Sequence, residues 1–237
     1  MNVPVSATGN VAFVDRMLTG IGSGLIGITG PAGSGKSTLS AMLLNDGRRG
    51  VYSADSRFIG SSLERRALLA HKQASSSDDY RDGANQFNWW DWQAIERDLT
   101  SLMAGRGVVI EAAYERDSGK RSSDLAVAPK SQILYEGALL GPPQIVNKLK
   151  AVIFLCAEAP LRFERIVRKD KERRSFNEIV ARFLITEFSE ATYYRRLFAW
   201  AREKLIFIDS LSGQPCAPFA PASDLFIPLR MTLDHNQ

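Results

Sequence analysis

A glycine-rich turn at residues 30–37, Gly-Pro-Ala-Gly-Ser-Gly-Lys-Ser, has the residue types and spacing that hold a chain of phosphates. Glycines let the backbone turn with its N–H groups pointing inward, and a helix that begins here adds the positive end of its dipole. Lys36 would place its charge on the outer phosphates, and the Ser37 hydroxyl would bind Mg²⁺. The pattern therefore predicts a site for a nucleoside triphosphate, taken as ATP, with Mg²⁺. Its residues are Gly30, Ala32, Gly33, Ser34, Gly35, Lys36, Ser37 and Thr38.

Three acidic residues lie at or near the ends of apolar runs that are typical of strands. Asp55 ends the run 50–55, Glu111 lies in 107–112, and Glu136 lies in 131–137. In open α/β sheets, ligands bind beyond the carboxyl ends of the strands. We therefore expect these acids to lie at the same edge of a sheet as the glycine-rich turn.

Strand-like and helix-like segments alternate along the chain, which predicts an α/β fold with a parallel sheet covered on both faces. Further apolar runs typical of strands occupy 24–29, 150–157 and 204–209. Helical spacing of apolar residues occupies 10–20, 37–44, 90–105, 160–170 and 176–202. The serines, aspartates and glycines of 71–86 predict a mobile surface loop.

Composition narrows the class of protein. The 237 residues are 45% apolar and 24% charged, which suits one folded domain. No apolar run is long enough to cross a membrane, and the N-terminus does not resemble a signal peptide, so we expect a cytoplasmic protein. Two cysteines provide neither a disulfide framework nor metal-ligand spacing. The net charge of +4 is concentrated in 162–174, which favours binding of nucleotide phosphates over a polynucleotide.

Four stretches resemble, in order across about 25–209, segments of the uridine kinase and phosphoribulokinase group of P-loop kinases. The resemblance implies a three-layer α/β/α P-loop NTPase fold with a parallel sheet of about five strands. It implies one domain over 1–237, with a core at 21–209, a lid at about 165–176 and a C-terminal tail at 210–237. The implied activity is ATP-dependent phosphorylation of a hydroxyl group on a small metabolite.

The first two stretches, "SADSRF" (53–58) and "QFNWWDWQAIERDL" (86–99), resemble the acceptor side of these kinases. The resemblance makes Asp55 the group that accepts the proton of the acceptor hydroxyl. It makes Asp91 the carboxylate that binds sugar hydroxyls, although Asp91 could also be the N-cap of a helix. Trp89, Trp90 and Trp92 could stack on an acceptor or belong to the core.

The third stretch, "ILYEGALL" (133–140), resembles the strand whose glutamate reaches Mg²⁺ through water, which assigns that role to Glu136. Glu111 is a competitor, and Gly137 after Glu136 favours the latter. In the group, the stretch equivalent to 108–121 is a flap over the acceptor. Tyr114 and Arg121 fall on its acceptor-facing positions.

The fourth stretch, 151–174, resembles the strand, helix and arginine-rich lid of the group. A closing lid brings guanidinium groups onto the transferring phosphoryl group and excludes water. Arg165 and Lys169 would bind the nucleotide, and Arg173 and Arg174 would act in catalysis. The alternative for each of these residues is an ordinary solvated helix face.

Two departures concern the acceptor. Gly119 stands where uridine kinases carry a flap histidine, and Ala112-Ala113 replaces a proline before the flap tyrosine. Pyrimidine recognition is therefore not implied, and a nucleoside or sugar-like acceptor is expected in general terms. Alternative acceptors are a phosphorylated sugar, pantothenate and a nicotinamide nucleoside. An alternative function is a regulatory ATPase that has no small acceptor. We expect neither nucleic acid nor a membrane as partner, and a homo-oligomer is left open.

Overall fold

Five parallel strands form the central sheet in the computed structural model, which describes residues 6–44 and 47–217. The strands are β1 (Gly24–Thr29), β2 (Arg49–Ser53), β3 (Val108–Glu115), β4 (Lys120–Val127), β5 (Gln132–Glu136), β6 (Ala151–Cys156) and β7 (Leu205–Asp209). The order in the central sheet is β2-β5-β1-β6-β7, and every pair in it is parallel. The predicted five-stranded parallel sheet is confirmed.

Helices cover both faces of this sheet. They are α1 (Ser6–Ile21), α2 (Lys36–Met42), α3 (Ser62–Ser75), α4 (Ser77–Ala84), α5 (Trp92–Met103), α6 (Pro143–Val146), α7 (Ala159–Asp170) and α8 (Phe176–Trp200). Short 3-10 helices lie at Ala54–Arg57, Gln86–Trp89 and Arg202–Lys204. The helices predicted from apolar spacing at 10–20, 90–105, 160–170 and 176–202 are present, with small differences at their ends.

Alternation along β1 separates the two halves of the core. Leu25 packs into a cluster with Leu99 of α5 and Leu197 of α8. Its neighbour Ile26 points to the opposite face and packs with Leu18 of α1. Successive side chains of a strand point to opposite faces, so a buried strand with apolar residues at every position requires cover on both sides. This arrangement is the three-layer α/β/α architecture.

The run 107–112 does not join the parallel sheet. From residue 108 onward it lies in β3, which pairs antiparallel with β4 as a separate hairpin, the flap. Glu111 lies inside β3 and is exposed. The expectation that Glu111 lies at the carboxyl edge of the parallel sheet is therefore wrong, because β3 is a partly exposed strand that pairs only with β4, with a shift of register between Ile110 and Ala113.

The stretch 71–86 is also different from its prediction as a loop. Most of it is helical, in α3 and α4. The Ser76 side chain accepts a hydrogen bond from the Asp79 N–H at 3.0 Å and so caps the start of α4. Serine and aspartate are favoured both in loops and at helix N-termini, and here they begin a helix.

The ends of the chain are described only in part. Residues 210–217 follow β7, and Pro215 forms an isolated bridge with Ile208. The rest of the predicted tail, 218–237, lies outside the described residues, and the domain boundaries stay predictions. Among the described helices, none is long and apolar enough to span a membrane.

Candidate active site

The phosphate loop, residues 30–37, connects β1 to α2 through glycines that no other residue could replace easily. Gly30, Gly33 and Gly35 have φ angles of 143°, 81° and 100°, which L-residues rarely adopt. A Cβ at Gly33 would lie 2.6 Å from the carbonyl oxygen of Arg162 in α7. Gly35 is the N-cap of α2 and makes no side-chain cap, so the first N–H groups of α2 point into the loop without a side-chain acceptor.

Lys36 lies at the centre of this loop. Its Nζ donates to the carbonyl oxygens of Gly30 at 2.6 Å and Pro31 at 3.1 Å. Burial lowers the pKa of Lys36, and nearby carboxylates oppose that effect. The charges that act on it, after burial, are those of Glu190, Arg116, Asp55 and Glu136. Acids from α8, the turn after β2 and the end of β5 therefore all act on this amine.

Ser37 and Glu136 are joined by a hydrogen bond beside the loop. Glu136 ends β5, and its Oε1 accepts a hydrogen bond from Ser37 Oγ at 3.2 Å, while Oε2 accepts one from Ser40 Oγ at 3.0 Å. A hydroxyl and a carboxylate are hard ligands that suit Mg²⁺, which also keeps waters and substrate phosphates. No group of three His, Cys, Asp or Glu residues in the described chain could hold a metal alone. The pair fits a metal shared with phosphates, whereas Glu111 lies in the flap.

Asp55 lies at the same edge of the sheet. It belongs to the 3-10 helix Ala54–Arg57, hereafter the Asp55 turn, which follows β2 directly. Ser53, the last residue of β2, is in register with Glu136 at the end of β5. Asp55 acts electrostatically on Lys36, and no hydrogen bond from the described residues occupies its carboxylate. It is therefore free to accept a proton or a hydroxyl from a ligand.

A buried polar network fixes the Asp55 turn. Arg57 donates to both carboxylate oxygens of Asp98 in α5, at 2.8 Å and 3.0 Å, and the Tyr52 hydroxyl donates to the same carboxylate at 2.6 Å. On the other side, a Cβ at Gly137 would lie 2.9 Å from the Cβ of Ala54. The glycine after Glu136 thus lets the end of β5 approach the turn closely.

Asp91 is the N-cap of α5. Its Oδ1 accepts from the Ala94 N–H at 2.9 Å, and its own N–H donates to the carbonyl oxygen of Arg57 at 3.0 Å. The capping alternative is present, and the exposed carboxylate stands next to the Asp55 turn. Trp90 is buried and lies 5.3 Å from the Trp92 ring, so both belong to the core instead of an acceptor surface.

The flap residues are engaged with the protein. Tyr114 is buried, and its hydroxyl shares a hydrogen bond with Ser62 at 2.9 Å. Arg121 donates from Nε to the carbonyl oxygen of Ala112 at 2.9 Å, and from Nη1 to that of Ile59 at 3.4 Å. The Tyr114 hydroxyl thus contacts α3, and Arg121 ties the flap to the chain that follows the Asp55 turn. Their role toward an acceptor stays a prediction.

The predicted lid, 165–176, consists of the end of α7, the connection between α7 and α8, and the first residue of α8. Arg173 and Arg174 both donate to Asp170, and Arg173 also reaches the carbonyl oxygen of Asp117 in the flap at 2.6 Å. The Nζ atom of Lys169 lies 3.6 Å from the side-chain carboxylate of Asp117. These contacts place the lid against the flap.

Arg165, at the other end of this segment, points to the phosphate loop. Its Nη1 donates to the carbonyl oxygens of Gly33 at 3.1 Å and Ser34 at 3.4 Å. In this arrangement it supports the loop backbone, and its predicted contact with a nucleotide stays a prediction.

Glu190 in α8 is a site residue that the sequence reasoning missed. Its Oε2 accepts a hydrogen bond from the Ala32 N–H of the phosphate loop at 3.0 Å, and the residue is 2% exposed. Burial raises the pKa of Glu190 to about 7, against the opposing charge of Lys36. A signal was present, because Glu190 falls with Tyr193 and Leu197 on the buried stripe of α8, where a charged residue needs a partner.

The fold is similar to solved structures, although the sequence matches no known family. No protein-family model matches the sequence, and no curated protein sequence matches it either. Among solved structures, a candidate uridine kinase from Bacillus stearothermophilus is 19% identical with a TM-score of 0.52, over 71% of this chain and 91% of that one.

Two further structures resemble the chain. A candidate fructose transport system kinase from Silicibacter sp. is 19% identical with a TM-score of 0.54, over 80% of this chain and 94% of that one. Phosphoribulokinase from Rhodobacter spheroides is 14% identical with a TM-score of 0.58, over 79% of this chain and 70% of that one. The chain therefore has the P-loop fold of the uridine kinase and phosphoribulokinase group, as the sequence predicted. At these identities the similarity establishes the fold and leaves the reaction open.

Proposed function

We propose that this chain is a kinase that uses ATP and Mg²⁺ to phosphorylate a hydroxyl group of a small metabolite. One observation carries the proposal: the phosphate loop, the Ser37–Glu136 pair and the unoccupied carboxylate of Asp55 converge on one edge of the sheet around Lys36. These are the parts that phosphoryl transfer needs, namely a phosphate cradle, a metal site and a base.

In this proposal the loop N–H groups and Lys36 bind the β- and γ-phosphates, and Ser37 with Glu136 holds the metal position. Mg²⁺ bound there would neutralise charge on the phosphate oxygens. Asp55 accepts the proton of the acceptor hydroxyl. The oxygen of that hydroxyl forms a bond to the γ-phosphorus, and the bond from the γ-phosphorus to the oxygen that bridges it to the β-phosphate breaks. ADP leaves with the bridging oxygen. Arg173 and Arg174 would add positive charge when the lid reaches the phosphoryl group.

The acceptor that we propose is a nucleoside or a sugar-like molecule, bound near Asp91 and the flap. The solved structures of similar fold include a candidate uridine kinase and a candidate fructose transport system kinase, which supports this class without selecting a member. A regulatory ATPase is the rival function. The proximity of Asp91 to the Asp55 turn favours the kinase, because hydrolysis alone needs no second carboxylate for an acceptor. A cytoplasmic location belongs to the same proposal.

The test is a screen of the purified protein with ATP and Mg²⁺ against nucleosides, sugars and vitamins, in which phosphorylated products are identified by mass. We expect a product that depends on the added metabolite. Lys36→Ala should abolish it, because the outer phosphates lose their fixed cation. Lys150→Ala is the matched control, since Lys150 lies before β6 at the opposite edge of the sheet. ADP release at the same rate with and without every metabolite would instead support the ATPase.

A further inference from the structure

Arg182 in α8 is a cation near the proposed acceptor site that the proposed reaction does not use. Among the described residues its guanidinium has neither a hydrogen-bond acceptor nor an ion-pair partner. Most arginines of this region are engaged: Arg57 with Asp98, Arg162 with Glu187, and Arg174 with Asp170. A cation left unpaired where its neighbours are paired is a position for a ligand anion.

The surroundings distinguish Arg182 from an ordinary surface arginine. Its side chain still meets solvent, yet protein atoms crowd around it, and this desolvation followed by the charge of Arg174 lowers its pKa to about 10. Arg116 of the flap lowers that pKa further, while Asp170 and Tyr114 raise it. Arg182 thus remains charged at neutral pH beside two other arginines, at a cost that a bound anion would remove.

The neighbouring elements place Arg182 on the acceptor side. One turn along α8, the Thr186 hydroxyl donates to the Arg182 carbonyl oxygen at 2.7 Å and accepts from Gln86 Nε2 at 3.1 Å. Gln86 begins the 3-10 helix that leads to Asp91. On the flap side, Tyr114 acts electrostatically on Arg182. This turn of α8, which carries Arg182, therefore lies beside the segment that leads to Asp91.

Arg116 has the same lack of a partner. It lies at the end of the flap hairpin, is exposed, and forms no hydrogen bond or ion pair with the described residues. The carbonyl oxygen of its neighbour Asp117 accepts a hydrogen bond from Arg173 of the lid at 2.6 Å, so this end of the flap lies against the lid. The charge of Arg116 acts on Arg182 there. Arg174, the third arginine of this group, already shares Asp170 with Arg173. Two positive charges therefore remain without a counter-ion.

We infer that the acceptor carries an anionic group, a phosphate or a carboxylate, which Arg182 binds with Arg116 as the second cation. This inference rests on the proposed kinase function and narrows its acceptor to an anionic metabolite. A guanidinium can bind two oxygens of such a group at once, and two cations suit a group with a charge near −2. The γ-phosphate of ATP is the other source of this chemistry, and the test must separate the two.

The first arm of the test is a binding measurement. The donor site is filled with a non-hydrolysable ATP analogue and Mg²⁺, and inorganic phosphate is then titrated by calorimetry. We expect phosphate to bind, and Arg182→Gln to weaken it at least tenfold. Arg195→Gln, an exposed position on the same helix, is the matched control and should bind as wild type. If the analogue abolishes phosphate binding, Arg182 serves the donor and the inference is overturned.

The second arm compares neutral acceptors with their monophosphates in the kinase assay. We expect the anionic member of a pair to have the larger kcat/KM, and Arg182→Gln to lower that value by about 10- to 100-fold with little effect on the neutral member. Arg182→Lys should restore part of it. Preference for the neutral member, unchanged in Arg182→Gln, would refute the inference and leave the kinase intact. If no acceptor is phosphorylated, the proposed kinase function is refuted. The phosphate titration would then still show whether Arg182 binds an anion outside the donor site.

Discussion

At the residue scale, two glutamates compete for the same role and the structure separates their positions. Glu136 ends β5 and accepts a hydrogen bond from Ser37 of the phosphate loop, whereas Glu111 lies exposed inside the flap. Both follow apolar runs, and the sequence alone favours Glu136 through Gly137 and the spacing to the next strand. The difference in position comes from strand pairing, since β5 lies between β1 and β2 and β3 pairs only with β4.

Exchange of each glutamate for glutamine tests this difference. Glu136→Gln should lower the Mg²⁺-dependent rate by about 10- to 100-fold and shift the Mg²⁺ titration upward, because a charged oxygen ligand is lost. Glu111→Gln should behave as wild type. The measurement is initial rate against Mg²⁺ concentration at saturating ATP. A larger effect of Glu111→Gln would mean that the flap, not β5, supplies the metal-side acid.

At the element scale, the Asp55 turn is positioned by contacts that no sequence motif contains. Arg57 reaches across to Asp98 of α5, and its carbonyl oxygen accepts the Asp91 N–H, so one residue ties the Asp55 turn to both the start and the middle of α5. Spacing could predict that Asp55 follows a strand and that Asp91 begins a helix. The link between them depends on tertiary contacts, which periodicity does not encode. The helices within 71–86 were not predicted for a local reason, because serine and aspartate residues such as the Ser76 cap are as common in loops as at helix N-termini.

Asp98→Asn tests whether the turn depends on this network. The substitution leaves the Arg57 cation without its carboxylate at a mostly buried site, so we expect a loss of about 1–3 kcal/mol in the free energy of unfolding. Because Asp55 would lose its fixed position, kcat should fall about tenfold or more while ATP affinity changes little. Denaturant unfolding and steady-state kinetics measure the two effects.

Two controls accompany Asp98→Asn. Tyr52→Phe removes only one hydroxyl donor to Asp98 and should have a smaller effect on both quantities. Glu96→Gln alters a more exposed ion pair of α5, with Lys148, and should cost no more than about 0.5 kcal/mol. An Asp98→Asn variant that is less stable but has the wild-type kcat would show that the network supports the fold without positioning the turn.

At the scale of the whole molecule, α7 and α8 join the lid to the phosphate loop. Arg162 of α7 binds Glu187 of α8 through two hydrogen bonds, at 2.5 Å and 2.6 Å, and its Nη1 reaches the Ala32 carbonyl oxygen at 3.4 Å. Glu190 accepts the Ala32 N–H on the other side of the same residue. The backbone of one loop residue is thus fixed by both helices that flank the lid. The sequence predicted the loop and both helices, but not this attachment.

Glu190 should make the stability of the whole chain depend on pH. Burial raises the pKa of Glu190 to about 7, so the folded protein retains a proton that the unfolded chain releases above its ordinary value near 4.5. The folded state binds more protons in this window, and the free energy of unfolding should therefore fall as pH rises from about 5 to above 7. Lys36, the opposite charge beside it, weakens the effect without reversing it.

Glu190→Gln should remove this slope, because the neutral amide can accept the Ala32 N–H and has no proton to lose. We expect the variant and the wild type to be about equally stable at pH 5, and the variant to be more stable at pH 8 by on the order of 1–3 kcal/mol. Urea unfolding at several pH values between 5 and 8 measures the difference. Glu203→Gln, at an exposed position, is the control and should follow the wild type. If Glu190→Gln keeps the wild-type slope, the Glu190 carboxylate is charged over the whole range from pH 5 to pH 8, and it accepts the Ala32 N–H as a carboxylate.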